Sequence, residues 1–134
     1  MKLFWLIHTL IFMLSCADED LDSDNNIFNY NGFDSLGVRI NTGELKLIAN
    51  GLDITGEWHL TMIGNVQNAG NQFSAGSLSG FVTDNVNYNI NLNPQMADNN
   101  VFLEGILAGD SINGNWNWST FIGITNSGTF TAVR

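Results

Sequence analysis

Residues 86–93 read VNYNINLN, and apolar and polar residues alternate strictly along this segment. Every even position is apolar and every odd position is asparagine. Successive side chains of a β-strand point to opposite faces, so this period of two predicts a strand with one buried and one solvated face. Pro94, the only proline in the chain, is expected to end that strand.

The same alternation extends in both directions, from about residue 36 to the C terminus. Seven further strands are predicted, over Leu36–Asn41, Glu44–Asn50, Asp53–Ile63, Gly76–Thr83, Val101–Ala108, Ser111–Phe121 and Ser127–Arg134. The predicted turns include Thr42-Gly43, Asn50-Gly51, Asp84-Asn85, Asp98-Asn99-Asn100 and Gly109-Asp110. The sequence therefore predicts an all-β fold, a small antiparallel meander of about eight strands. We expect a closed barrel or a sandwich, because open sheet edges invite aggregation.

Two of these strands repeat one pattern. ITGEWHLT at residues 54–61 aligns with INGNWNWS at residues 112–119. In both, Ile, Gly, Trp and then Leu or Trp share one face, and the opposite face is polar. Since glycine inside a strand marks a bend or a close approach of another backbone, two bent strands with inward tryptophans favour a small curved barrel.

The Ile54-Thr55-Gly56-x-Trp58 opening and the Thr129-Phe130-Thr131 ending resemble the avidin and calycin group of eight-stranded barrels. The resemblance covers only these two short segments and implies a calycin-like barrel. In avidin an asparagine that contacts the ligand lies two positions after the tryptophan, whereas this chain has Leu60 there. The resemblance therefore extends to the architecture and not to biotin binding.

Residues 1–15, MKLFWLIHTLIFMLS, have the character of a signal peptide. Lys2 gives a positive start, and the apolar stretch of 12 residues that follows is shorter than the roughly 20 that span a bilayer. Met13-Leu14-Ser15-Cys16 resembles the lipobox of bacterial lipoproteins. That resemblance implies cleavage before Cys16 and acylation of this residue as a membrane anchor. The alternative is an ordinary secretory signal with an incidental cysteine.

Residues 16–35 are predicted to be a flexible tether between the anchor and the domain at residues 36–134. Five carboxylates and no cation lie within residues 17–24, and such dense like charge does not fold alone. The segment is similar to the acidic stretch of Bacteroidetes lipoproteins that are exported to the cell surface. We therefore expect an outer-membrane or cell-surface location, with a plain spacer as the alternative. An EF-hand is disfavoured because Asn25 and Asn31 stand where that loop requires glycine and glutamate.

The composition excludes several classes of function. The net charge is −9 and there is no basic patch, so a nucleic acid would be repelled. The chain has one cysteine, which rules out an internal disulfide and any cluster held by several thiolates. We expect no metal and no cofactor.

Few residues are candidates for chemistry. After cleavage His59 is the only histidine, and alternation places it on a polar face with Glu57. Glu57 and Glu104 lie in predicted strands and would serve as acid and base only if the fold brought them together. Glu104 shares a face with Phe102 and Ile106. The sequence thus gives no support for an enzyme.

The ligand-binding candidates are Trp58, Trp116, Trp118 and Glu104. All three tryptophans share the face of Ile54 and Ile112, which favours a place in the core over a cavity lining or a sugar platform. The asparagines at 87, 89, 91 and 93 are expected to be a solvated face, or else a polar recognition surface. The favoured function is a lipid-anchored module that binds an unknown small amphipathic ligand in a pocket. A surface module for glycan or protein is the first alternative, and an uncharacterised enzyme is the second.

Overall fold

A computed structural model describes residues 26–134, which form a closed barrel of eight antiparallel strands. The strands are β1 Ile27–Phe33, β2 Arg39–Asn50, β3 Asp53–Met62, β4 Ala75–Thr83, β5 Asn87–Asn91, β6 Asn99–Ala108, β7 Ser111–Thr120 and β8 Gly123–Val133. Each strand pairs with the next, and β1 pairs with β8, where Asn29 lies opposite Val133 and Phe33 opposite Thr129. This closure confirms the all-β barrel and decides against the sandwich.

The alternation that predicted the strands also produces the core. Inward residues of all eight strands are buried, including Leu45, Leu60 and Leu103. In β5, Ile90 is buried, and Leu92 continues its inward row just beyond the strand. The interior is thus filled by apolar side chains that alternate with the residues of the outer wall.

The predicted boundary of the folded domain at residue 36 is wrong. Strand β1 lies within the segment expected to be a tether, and its Phe28 and Tyr30 side chains are buried in the barrel. The acidic run that motivated the tether ends at Asp24. After it, Phe28, Tyr30 and Gly32 alternate with Asn29 and Asn31, which is a strand pattern with asparagine on its polar side. Residues 16–25 of the proposed tether lie outside the described part of the chain.

The predicted turn at Thr42-Gly43 is also wrong, because β2 runs unbroken from Arg39 to Asn50. Gly43 is needed there for close packing, since a Cβ atom would collide with the carbonyl oxygen of His59 on β3. Leu36 lies in the β1–β2 turn and not in a strand. Likewise, Asn99 and Asn100 belong to β6 and not to the turn predicted at Asp98-Asn99-Asn100.

The glycines of the repeated pattern act as predicted. A Cβ atom on Gly56 would meet the carbonyl oxygen of Lys46, and one on Gly114 would meet that of Glu104. In both strands the glycine therefore permits the neighbouring backbone to approach closely, and the tryptophan two residues later points into the core.

Candidate binding surface on the outer wall

Trp58 and Trp116 lie in the barrel core. Trp116 is completely buried, and its indole Nε1 donates a hydrogen bond to the carbonyl oxygen of Phe33 at 2.7 Å. Trp58 is buried as well and donates to the carbonyl oxygen of Leu92 at 2.6 Å. With the ring packed and the N–H satisfied, neither side chain is exposed as a sugar platform. The core interpretation of these two residues is confirmed.

Trp118 differs from the other two because it is only half buried. Its Nε1 donates to Asn99 Oδ1 at 2.7 Å, and its ring packs against Gly70 of the loop between β3 and β4. That loop, residues 63–74, covers the end of the barrel where Trp118 lies. The tryptophan therefore joins the covering loop to the wall, although the aligned Leu60 is fully enclosed.

A buried polar cluster holds the same loop in place. Asn41 on β2 donates through Nδ2 to the backbone oxygen and to Oε1 of Gln72, at 3.2 and 3.1 Å. Gln72 in turn donates to the carbonyl oxygen of Ala69 at 2.6 Å.

Nearby, Tyr30 stacks on Phe130 with ring centroids 5.5 Å apart. Its hydroxyl finds no hydrogen-bond partner among residues 26–134, and burial raises the pKa of this group above its ordinary value of 10.0.

The outer wall carries the arrangement that sequence reasoning missed. In the barrel register, Asn89 of β5 lies opposite Glu104 of β6, and Glu104 lies opposite Asn115 of β7. The rows above and below repeat this order, with Asn91, Phe102 and Asn117 in one and Asn87, Ile106 and Asn113 in the other. We call these nine residues the Asn wall. Neighbouring strands are about 4.8 Å apart and alternate residues of one strand about 7 Å apart, so the nine side chains form a continuous patch.

The Asn wall is accessible and its amides are largely uncommitted. Asn87 bonds to Asp84, and the Oδ1 atom of Asn91 accepts the backbone N–H of Asn93. The other four asparagine side chains form no hydrogen bond with another described residue. Glu104 is exposed, Phe102 is 37% exposed, and a shallow hollow of 310 Å³ opens between the rows.

One asparagine of the predicted polar face lies elsewhere. Asn93 is buried, accepts the backbone N–H of Val101 at 3.2 Å and donates to the carbonyl oxygen of Asn71 at 2.9 Å. Asn93 follows Leu92, beyond the end of β5, where the chain turns toward β6. The alternation of the strand therefore no longer determines on which side of the barrel wall its side chain lies. The predicted face thus holds for residues 87, 89 and 91 and fails at Asn93.

The structure does not bring Glu57 and Glu104 together. They lie on β3 and β6, with two strands between them, and line separate hollows. Glu57 shares an open groove of 470 Å³ with Glu44, Lys46 and His59 on the outer wall of β2 to β4.

Within residues 26–134, no three His, Cys, Asp or Glu side chains meet at a spacing that would hold a metal ion. No helix in that part of the chain is long and apolar enough to cross a membrane.

No protein family, curated protein or solved structure matches this chain. Uncharged amides supply paired donors and acceptors, one carboxylate supplies strong acceptors, and one partly exposed phenyl ring supplies an apolar surface. Cys16, the predicted lipidation site, lies outside the described residues.

Proposed function

We propose that the protein is an exported, lipid-anchored module that binds neutral glycans on the Asn wall and catalyses no reaction. The observation that carries the proposal is the register of β5, β6 and β7, which sets two asparagine rows on either side of Phe102, Glu104 and Ile106. No single strand contains this patch, which exists only because the barrel aligns the three.

Sugar hydroxyls both donate and accept hydrogen bonds, and an amide matches both needs at one side chain. The four uncommitted asparagines lie on paired strands, so binding has to order their side chains but not their backbone. Phe102 offers its ring to the apolar face of a pyranose. Together these properties suit a shallow, extended, polar ligand better than an apolar molecule.

Charge narrows the class of glycan further. Glu104 is the only charged residue of the wall, and it lies at its centre between Asn89 and Asn115. A carboxylate accepts two hydroxyl hydrogen bonds and repels uronic, sulfated or phosphorylated sugars. Neutral sugars are therefore favoured, and sugars that carry a free amine are tolerated.

The filled interior favours this surface over an internal pocket. A calycin-like site for a small amphipathic ligand requires room inside the barrel, but Trp58, Trp116 and Tyr30 occupy that space. The groove on β2 to β4 and the hollow of the Asn wall both open to solvent on the outside of the barrel. The anchor half of the proposal rests on the lipobox resemblance at Cys16.

The experiment is calorimetric titration of the chain with soluble β-glucan, mannan, chitosan oligosaccharides and polygalacturonate. We expect binding to one or more of the first three and none to polygalacturonate. Glu104→Gln should weaken binding about tenfold, because a hydrogen bond to a charged acceptor is replaced by a neutral one. Glu57→Gln is the matched control, an exposed strand glutamate on a different part of the wall, and it should bind as the wild type does. Equal loss in both variants, or no binding to any of these polymers, would contradict the proposal.

A further inference from the structure

A second surface, at one end of the barrel, is apolar and has no partner among the described residues. Because β1 neighbours both β2 and β8, the β1–β2 turn and the β7–β8 turn lie side by side at the same end. Each exposes large apolar side chains. We call these five residues the apolar rim: Leu36, Val38, Phe121, Ile122 and Ile124.

The rim is presented by ordered turns. Asp34 Oδ1 accepts the backbone N–H groups of Leu36 and Val38 at 2.9 and 2.8 Å, which holds Leu36 at the apex with 86% of its surface exposed. Phe121, at the tip of the neighbouring hairpin, is 85% exposed.

The hairpin that carries most of the rim is free of charge. Residues 111–133 contain no Asp, Glu, Lys, Arg or His, whereas the chain as a whole has a net charge of −9. A charged group in hydrocarbon costs several kcal/mol, so the uncharged β7–β8 tip can enter deepest. The β1–β2 turn contains Asp34 and is followed by Arg39, and these two groups would stay at the level of the headgroups. The net negative charge of the rest of the chain gives no attraction to anionic headgroups.

We propose that the apolar rim inserts into the interfacial region of the membrane that carries the lipid anchor. The inference rests on the anchor half of the proposed function and is independent of glycan binding. Asn26 lies ten residues after Cys16, and a chain of that length spans at most about 35 Å. The barrel is about 30 Å high, from the 12 residues of β2 at the usual tilt. The anchored barrel can therefore lean over until its far end meets the same bilayer.

Insertion of the rim supplies a second, weaker attachment. The lipobox resemblance implies a diacylglycerol on Cys16, whose two acyl chains already hold the protein stably, so the rim orients the barrel and is not needed to retain it. Rim binding is expected to be reversible, independent of salt and independent of anionic lipid, because it uses apolar burial alone. Leaning would also orient the barrel wall relative to the membrane surface.

The test uses the mature chain with Cys16→Ser, exported by an ordinary secretory signal and mixed with phosphatidylcholine vesicles at millimolar lipid. In cells this variant should leave the membrane fraction on washing, and its retention there like the wild type would overturn the anchor on which the inference rests. In flotation it should rise with the vesicles equally in low and high salt. A Phe121→Ser and Ile122→Ser double variant should lose at least fivefold of that binding. Leu52→Ser is the matched control, an exposed apolar residue in the β2–β3 turn at the opposite end, and it should float unchanged.

Absence of flotation, equal flotation of the double variant, or binding only to anionic vesicles would overturn the inference. Dimers in sedimentation without lipid that the double variant abolishes would assign the rim to a second copy of the chain and would also overturn it. Since the rim side chains are exposed, the variants should keep the melting temperature of the parent chain. A failure of vesicle binding with intact glycan binding would remove the rim proposal and leave the Asn wall standing.

Discussion

Among single residues, Tyr30 combines an aromatic ring that packs well in the core with a hydroxyl group that is unfavourable there. Its ring stacks on Phe130, but its hydroxyl is enclosed without a hydrogen-bond partner among the described residues. An unpaired buried hydroxyl costs about 1–3 kcal/mol. The ring is thus the stabilising part of this residue, and the oxygen atom is a cost to the fold.

Tyr30→Phe is therefore expected to leave the domain as stable as the wild type at pH 7, or more stable by about 1 kcal/mol. The two proteins should diverge at alkaline pH. Burial raises the pKa of the Tyr30 hydroxyl above 10.0, so the folded state keeps a proton that the unfolded chain releases. Stability linked to this group is complete below pH 10 and falls above it by about 1.4 kcal/mol per pH unit. Urea unfolding at pH 7, 10 and 11 measures both effects, and parallel losses in the two proteins would exclude this role for Tyr30.

At the element scale, β1 is the strand that the sequence did not reveal. Its asparagines and the acidic run before it made this segment resemble a solvated tether. They obscured the strand pattern of its three inward positions, Phe28, Tyr30 and Gly32. Its importance is topological, because it pairs with β2 on one side and β8 on the other. Without it, both neighbours would expose an unpaired edge and the two buried rings would be lost.

A chain that starts at Leu36 is accordingly expected not to fold, whereas a chain that starts at Asn26 should melt cooperatively. Loss of the Phe28 and Tyr30 side chains alone removes about 3–5 kcal/mol each, which exceeds the margin of many small domains. Near-ultraviolet circular dichroism distinguishes the two chains. Adding a peptide of residues 26–35 should restore the native signal by filling the gap between β2 and β8. A stable, monomeric chain from Leu36 would contradict the role of β1.

The elements show what local sequence reveals and what it does not. The strict alternation of residues 86–93 predicted β5, and the Ile-x-Gly-x-Trp repeat predicted two inward tryptophans with a glycine contact before each. In contrast, Gly43 suggests a turn by residue type but lies inside a strand, because only the pairing with β3 makes a glycine necessary there. The Asn wall depends on the register of three strands, and no single segment encodes that register.

At the scale of the whole molecule, closure determines which surfaces are available. Eight strands enclose an interior just wide enough for side chains, so tryptophan and tyrosine fill the space that a ligand would need. Recognition is then left to the outer wall and the two ends. The predicted number of strands was right although β1 was missed, because the unbroken β2 had been divided in two.

Closure also brings the two ends of the described chain together. Asn29 pairs with Val133, so Ile27 and Arg134 lie at the same seam and a short glycine-rich linker can join them. New ends opened at the exposed Gly109-Asp110 turn should then give a circular permutant that folds, with a melting temperature within a few degrees of the parent. A cut between Asn115 and Trp116, inside β7, should prevent folding because it divides a core strand. Thermal melts of both permutants decide the matter, and failure of the first would mean that the β1–β8 seam is not equivalent to the other strand pairs.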